Sequence, residues 1–217
     1  MATTLHEPPH TEEEVGSGSG GFRDFVPAQG NLPAVHDRSP EPSRTGIWVA
    51  LAAITMSFAA LTSALIVRQG AAQDWRHFGL PRILYLNTLV LLASSVSLEV
   101  ARRQFALMNP ERIKASARWL YATALLGVVF VTGQYVAWLK LKSEGLFLAT
   151  NPSSSFFYVF TGVHAVHVFG GLAGLAYVIR RLKRLALRGS TLDVASYYWH
   201  FMDMLWLYLL LLLWMRL

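Results

Sequence analysis

Residues 155–171 read SFFYVFTGVHAVHVFGG. The stretch combines two histidines, several glycines and a block of aromatic side chains in one apolar segment that is long enough to cross a bilayer. A second apolar stretch, residues 197–217, reads YYWHFMDMLWLYLLLLLWMRL and adds a histidine and an aspartate. Ionisable groups inside membrane spans mark functional or interface positions. These two segments therefore indicate the fold class and the place to search for a site.

The whole chain has the composition of an integral membrane protein. It is 53% hydrophobic, and its charged residues cluster between long apolar runs. A helix of about 20 apolar residues crosses the hydrocarbon core. The sequence predicts an all-α, polytopic membrane helix bundle with five transmembrane helices. The expected spans are residues 46–67, 83–101, 119–139, 156–179 and 197–215.

The first 45 residues differ in composition from the rest. They are rich in Pro, Gly and Ser and include three consecutive glutamates and the run GSGSGG. Such a segment cannot bury enough apolar surface to fold alone. We expect residues 1–45 to form a disordered cytoplasmic tail ahead of a membrane domain at 46–217.

Basic residues predict the orientation of the bundle. With a cytoplasmic N-terminus, 13 of the 19 Lys and Arg residues lie on the inner side. The positive-inside rule then places the C-terminus outside. The same rule accounts for the basic loops, so they do not indicate a nucleic-acid partner. The tryptophans expected in an interfacial belt are Trp48, Trp75, Trp119, Trp138, Trp199 and Trp214.

The chain contains no cysteine, which excludes disulfides, iron–sulfur clusters, thiolate copper sites and covalently attached c-type haem. Histidines would have to hold any metal or haem. His164, His167 and His200 are the three histidines inside spans; His6, His10 and His36 lie in the tail and His77 in a loop.

Depth in the bilayer separates these three histidines. Counted from the expected span ends, His167 lies near the middle of the bilayer and His200 near its inner edge. The expected separation is roughly 10 Å along the membrane normal. Ligands of one metal converge within about 4 Å. We therefore expect no shared metal site, and favour histidines that bond to neighbouring helices.

Gly162, Gly170 and Gly174 recur at a four-residue spacing on the fourth span, with Val166 completing the row. Small residues at this spacing let helices approach closely. We expect ordinary packing within the bundle, although a helix of another chain would satisfy the same pattern.

Four other polar residues inside spans have structural and functional interpretations. Asp203, three residues after His200, could relay protons, but near the start of a helix the macrodipole would stabilise it and it could orient the histidine. Glu99 is expected to pair with Arg102 and Arg103 at i+3 and i+4. Asn87 and Gln134 are expected to form hydrogen bonds between helices.

Three motifs in this order resemble subunit III of the haem-copper terminal oxidases, the group of cytochrome c and quinol oxidases. SSSFFYVFTGVHAVHVFGG at 153–171 is similar to the family signature T-G-x-H-x-x-H-V-x-x-G, which begins here at Thr161. YYWHFMDMLWLYLLLLLW at 197–214 is similar to W-H-F-x-D-x-x-W-L, and LNTLVLLASSVSLEVA at 86–101 resembles L-N-T-x-x-L-L-x-S. The resemblance covers residues 46–217.

The resemblance implies a five-helix form without the two extra N-terminal helices of the seven-helix form. It implies that the chain has no catalytic residue, metal or other cofactor, because haem and copper belong to the catalytic subunit. The expected partners are catalytic subunit I, the other oxidase subunits, structural phospholipid and a respiratory supercomplex. One departure is that Ala52–Ser63 lacks the acidic residue often found in the family's first shared helix. The proton-buffering role of that carboxylate is therefore not expected here, and Asp203 and Glu99 are the candidates to replace it.

The sequence thus predicts an accessory subunit of a proton-pumping terminal oxidase in a bacterial inner membrane. Its role would be to stabilise the catalytic subunit, its lipids and its proton uptake. The alternative is a free-standing di-haem b-type cytochrome that uses His164 or His167 with His200. A secondary transporter is disfavoured because the sequence lacks internal repeats and helices broken by Gly or Pro at matching positions.

Overall fold

The computed structural model describes residues 42–71, 79, 81–107, 109–148, 151–184 and 187–216. They form five α-helices: α1 Pro42–Ala71, α2 Ile83–Ala106, α3 Pro110–Ser143, α4 Pro152–Lys183 and α5 Gly189–Arg216. All five are long and apolar enough to cross a membrane, which confirms the predicted fold class. The expected tail lies outside the described residues up to residue 41, whereas residues 42–45 form the first turn of α1.

Each helix contains the span expected for it and extends beyond that span at one or both ends. Proline marks two of the starts, because Pro110 and Pro152 occupy first-turn positions where a missing N–H costs nothing. Asn109 caps α3 by accepting a hydrogen bond from the backbone N–H of Glu111 at 3.1 Å. Two helices begin about two turns early: α3 begins at Pro110 instead of near residue 119, and α5 begins at Gly189 instead of near residue 197.

Helices α2, α3, α4 and α5 form a four-membered ring in which each packs antiparallel to its neighbours, and α1 packs outside this ring on α4 and α5. We call the end where α2 and α4 finish and α3 and α5 begin the basic end. The basic residues there include Arg102, Arg103, Lys114, Arg180, Arg181 and Lys183.

Hydroxyl groups join the second half of α2 to the first half of α3. Ser97 donates to the carbonyl of Trp119 at 3.0 Å, and Thr123 donates to the Ser97 hydroxyl at 3.1 Å. Ser116 donates to the carbonyl of Ala101 at 2.8 Å. Small hydroxyl side chains let two backbones approach closely and satisfy each other in an environment without water.

Trp199 occupies the centre of the ring, only 1% exposed. Glycines on both sides make room for it: a Cβ atom at Gly127 would lie 2.8 Å from its ring, and one at Gly171 would lie 3.1 Å away. The interfacial position predicted for Trp199 is therefore wrong. Trp48 and Trp214, also predicted in the belt, are 62% and 66% exposed, and Trp75 lies outside the described residues.

Gly133 of α3 lies directly against the side chain of Asn87 on α2. A Cβ atom there would lie 2.3 Å from the side-chain oxygen of Asn87, whose amide donates to the carbonyl of Phe130 at 2.8 Å. Gly133→Ala should therefore displace Asn87 and lower the free energy of unfolding by about 1–3 kcal/mol. Unfolding by SDS in mixed micelles, followed by circular dichroism, measures this change.

Gly162→Ala provides the matched control, because a Cβ atom at Gly162 meets nothing within 4 Å. It should leave stability unchanged or raise it by about 0.5–1 kcal/mol through helix propensity. Equal destabilisation by the two substitutions would show that the contact at Gly133 is not as tight as the structure has it.

Candidate functional site in the bundle interior

His164 is buried inside the ring, 1% exposed. Its imidazole lies against the Trp206 ring, with centroids 5.1 Å apart, and against the edge of Phe130 at 6.0 Å. Neither ring nitrogen has a hydrogen-bond partner in the part of the chain that the structure describes. The expected bond from His164 to a neighbouring helix is therefore absent, because aromatic side chains fill the space around the ring.

The other two histidines have hydrogen bonds. Nδ1 of His167 bonds to the carbonyl of Val163 in its own helix at 2.8 Å, and its ring lies beside Phe58 of α1. Nδ1 of His200 bonds to the hydroxyl of Ser95 on α2. Only His200 therefore has the predicted bond to another helix.

The depth separation predicted between His167 and His200 is too large. Facing contacts between α4 and α5 pair His164 with Trp206 and Gly171 with Trp199. His200 thus lies near the level of Gly170, about 4.5 Å from His167 along the axis. The prediction placed His200 too close to the start of its helix, because α5 begins two turns earlier than expected.

Direction, instead of depth, separates the three histidines. His167 faces α1, His200 faces α2, and His164 lies between Phe130 and Trp206. Among the described residues, no group of three or more His, Cys, Asp or Glu side chains lies close enough to hold a metal ion.

Asp203 lies deep in the bundle instead of at a helix start. It is 4% exposed and follows the first residue of α5, Gly189, by 14 positions. The macrodipole acts only within the first turn, so the stabilisation that we predicted for this carboxylate does not apply. The Ser95 hydroxyl is beside it, but neither carboxylate oxygen makes a hydrogen bond within the described structure.

Glu99 makes the ion pairs that its spacing predicts. Its carboxylate accepts from Nε of Arg102 at 2.9 Å and from Nε of Arg103 at 2.8 Å. Arg102 also reaches Asp193 on α5 at 3.3 Å. The cluster joins α2 to α5 at the basic end, where side chains are partly exposed.

Gln134 differs from the prediction. It is 2% exposed, yet neither its amide oxygen nor its amide nitrogen has a partner in the described residues. Asn87 does make the predicted bond between helices. Thr161, the first residue of the fourth-span motif, accepts a hydrogen bond from Nε1 of Trp138 at 3.0 Å and so joins α4 to α3.

The glycine row does not pack within the bundle as we predicted. Cβ atoms at Gly162 and Gly174 would meet nothing within 4 Å, and one at Gly170 would meet only the Tyr198 hydroxyl, at 3.4 Å. Val166, in the same row, is 68% exposed. The reason is that α4 turns a different face to its neighbours, with Gly171 against Trp199.

Sequence reasoning missed the hydrogen bonds between α5 and α2. Nε1 of Trp199 donates to Ser94 at 3.0 Å, and Nε1 of Trp206 donates to Thr88 at 2.9 Å. The signal in the sequence is the seven-residue spacing of the two tryptophans, which keeps both on one face of α5. The two hydroxyl residues are six apart, a spacing that does not by itself place them on one face of a helix.

The fold and this interior define a polytopic α-helical membrane protein whose ring is held together by polar contacts between helices. Residues 48–216 match the family described as Cytochrome c oxidase subunit III. The match includes nearly all of the helical region. The chain therefore belongs to the cytochrome c oxidase subunit III family.

Individual relatives agree with this assignment. Cytochrome c oxidase subunit 3 of Thermostichus vulcanus is 31% identical over 197 residues, covering 87% of this chain and 95% of the relative. That of Synechocystis is 28% identical over 188 residues, 83% of this chain and 78% of the relative. The probable cytochrome c oxidase subunit 3 of Mycobacterium tuberculosis is 36% identical over 125 residues, 55% of this chain and 59% of the relative.

Trp199→Phe tests the bond that links α5 to α2. The substitution removes the indole donor and leaves the Ser94 hydroxyl, which is 0% exposed, without it. We expect the free energy of unfolding to fall by about 1–3 kcal/mol. Trp214→Phe, at an exposed position, should change it by less than about 0.5 kcal/mol.

A double-mutant cycle with Ser94→Ala isolates the hydrogen bond itself. The coupling energy between positions 199 and 94 should be about 0.6 kcal/mol, the average for such bonds in membranes. Additive effects of Trp199→Phe and Ser94→Ala would mean that this hydrogen bond contributes nothing to stability.

Proposed function

We propose that this chain is an accessory subunit, without a catalytic site of its own, in a haem-copper terminal oxidase of the respiratory chain. Its role is to cover and stabilise the catalytic subunit, retain that subunit's phospholipids and preserve its proton uptake. The observation that carries the proposal is the match to the subunit III family from residue 48 to residue 216, across all five helices.

The histidine side chains face different neighbours, which supports a protein that binds no haem over a redox protein. Two axial ligands must approach one haem from opposite faces, whereas His167 and His200 face different helices. His164 is enclosed by the rings of Phe130 and Trp206, which occupy the space that a macrocycle would need. The di-haem alternative has no such support.

A groove between α3 and α4 supports a role in lipid binding. It has a volume of about 460 Å³ and is lined by Tyr135, Trp138, Tyr158 and Gly162, with Lys142 at its edge. The apolar lining suits part of an acyl chain, and the lysine suits a lipid phosphate. We propose that a structural phospholipid binds in this groove.

We propose a membrane, an orientation and partner subunits for this chain from its family and its charge distribution. The chain would lie in a bacterial inner membrane with its N-terminus cytoplasmic and its C-terminus outside, since this orientation puts 13 of 19 Lys and Arg residues inside. Subunit I and the other oxidase subunits are the proposed partners, within a respiratory supercomplex.

Removal of the chain tests its role during turnover. Oxidase purified without it should start at nearly the same rate of oxygen consumption but inactivate after several-fold fewer turnovers, because proton delivery and lipid retention fail. Oxygen-electrode traces run to inactivation measure both quantities. Adding the purified chain back should restore the lifetime. An unchanged lifetime and unchanged proton uptake would refute the role.

An optical spectrum tests the alternative. The full chain, purified in mild detergent apart from the oxidase core, should show no Soret band and no iron or copper at stoichiometric amounts. A reduced-minus-oxidised difference spectrum and elemental analysis check this. A stoichiometric b-type haem spectrum that is lost in His200→Gln would favour the di-haem cytochrome instead.

A further inference from the structure

Asp203 is a carboxylate buried in the interior of the helix bundle. It lies 14 residues after Gly189, which at 1.5 Å per residue is about 21 Å along α5. It is 4% exposed, and neither carboxylate oxygen has a hydrogen-bond partner among the described residues. No cation of α2 or α5 pairs with it among these residues, and the ion pair that joins the two helices, Arg102 with Asp193, lies at the basic end.

A row of polar groups connects Asp203 with the basic end. Ser95 of α2 lies beside the carboxylate, and its hydroxyl bonds to Nδ1 of His200. His200 in turn lies within electrostatic range of Glu99 and Arg102. Glu99 is one turn beyond Ser95 on α2, is partly exposed, and pairs with Arg102 and Arg103.

The other helices bring no opposite charge to this carboxylate. From α4, His164 packs on Trp206, one turn further along α5. The buried polar groups of α3 that lie in the bundle, such as the Gln134 amide and the Thr123 hydroxyl, are uncharged. Helix α1 faces α5 through Thr62 and Gln69, which do not titrate.

We propose that Asp203 is an internal proton-binding site, filled and emptied from the basic end through Glu99, His200 and Ser95. The proposal does not depend on the role of the chain in the oxidase, because it concerns a site enclosed by this chain's own helices.

The chemistry of the site selects a proton over a metal ion. An unpaired carboxylate in a low-dielectric interior is unfavourable, and binding a proton removes the charge. A hard metal cation would need about six oxygen ligands. Among the described residues, no group of three or more His, Cys, Asp or Glu side chains could hold a metal ion.

Each transfer moves one proton and changes no oxidation state. Water at the basic end supplies the proton, which the Glu99 carboxylate attracts towards the His200 ring. His200 takes it on Nε2 and releases the proton on Nδ1 to the Ser95 hydroxyl. Ser95 passes its own hydroxyl proton to a carboxylate oxygen of Asp203, which becomes a neutral acid. The reverse steps empty the site.

Infrared spectroscopy of the full chain in phosphatidylcholine bilayers tests the proposal. At neutral pH we expect the carbonyl band of a protonated carboxylic acid, shifted in D₂O and shifted again when aspartate is labelled with ¹³C at its side-chain carboxyl. Asp203→Asn should abolish the band. Asp193→Asn, which removes another aspartate of the same helix, should leave it unchanged.

Two further variants test the route. In Ser95→Ala and His200→Gln the band should remain, but its exchange in D₂O should slow by roughly tenfold. Absence of an aspartate-derived band in the labelled wild-type chain would overturn the site, even if Asp203→Asn does not fold. A band that survives Asp203→Asn would do the same. Wild-type exchange rates in both route variants would overturn the route.

Discussion

Trp199 makes the contact on which the arrangement of the other helices depends. Its indole lies between Gly127 of α3 and Gly171 of α4 and donates a hydrogen bond to Ser94 of α2. The Trp199 side chain thus contacts the other three helices of the ring. In the hydrocarbon core no water can accept the indole proton, so the bond to Ser94 fixes both the rotation of α5 and its register against α2.

Further contacts follow from that register. Trp206 reaches Thr88 two turns along α5, and at the basic end Asp193 reaches Arg102. The tightly packed faces point inward, and the row from Gly162 to Gly174 is left with open space beside it.

Several sequence predictions failed for one reason. Hydropathy locates the part of a helix that lies in hydrocarbon, but it does not locate the ends of the helix. Because α5 starts at Gly189, His200 and Asp203 lie two turns further from the start of their helix than expected. His167 and His200 are therefore closer along the helix axes than expected, and the helix macrodipole does not stabilise Asp203. Motif residues such as Glu99, whose partners lie on the same helix, were predicted correctly because local spacing determines their contacts.

The sequence by itself determined the five membrane helices, their order, the ion pairs of Glu99 and, through three motifs, the family. These features depend on composition and on neighbours along one helix. Only the tertiary structure decided which glycines pack, that Trp199 is central, and that His164, Gln134 and Asp203 lack partners among the described residues. The physical reason is that helix rotation and depth are set jointly by contacts between helices, and the spacing within a single helix does not contain that information.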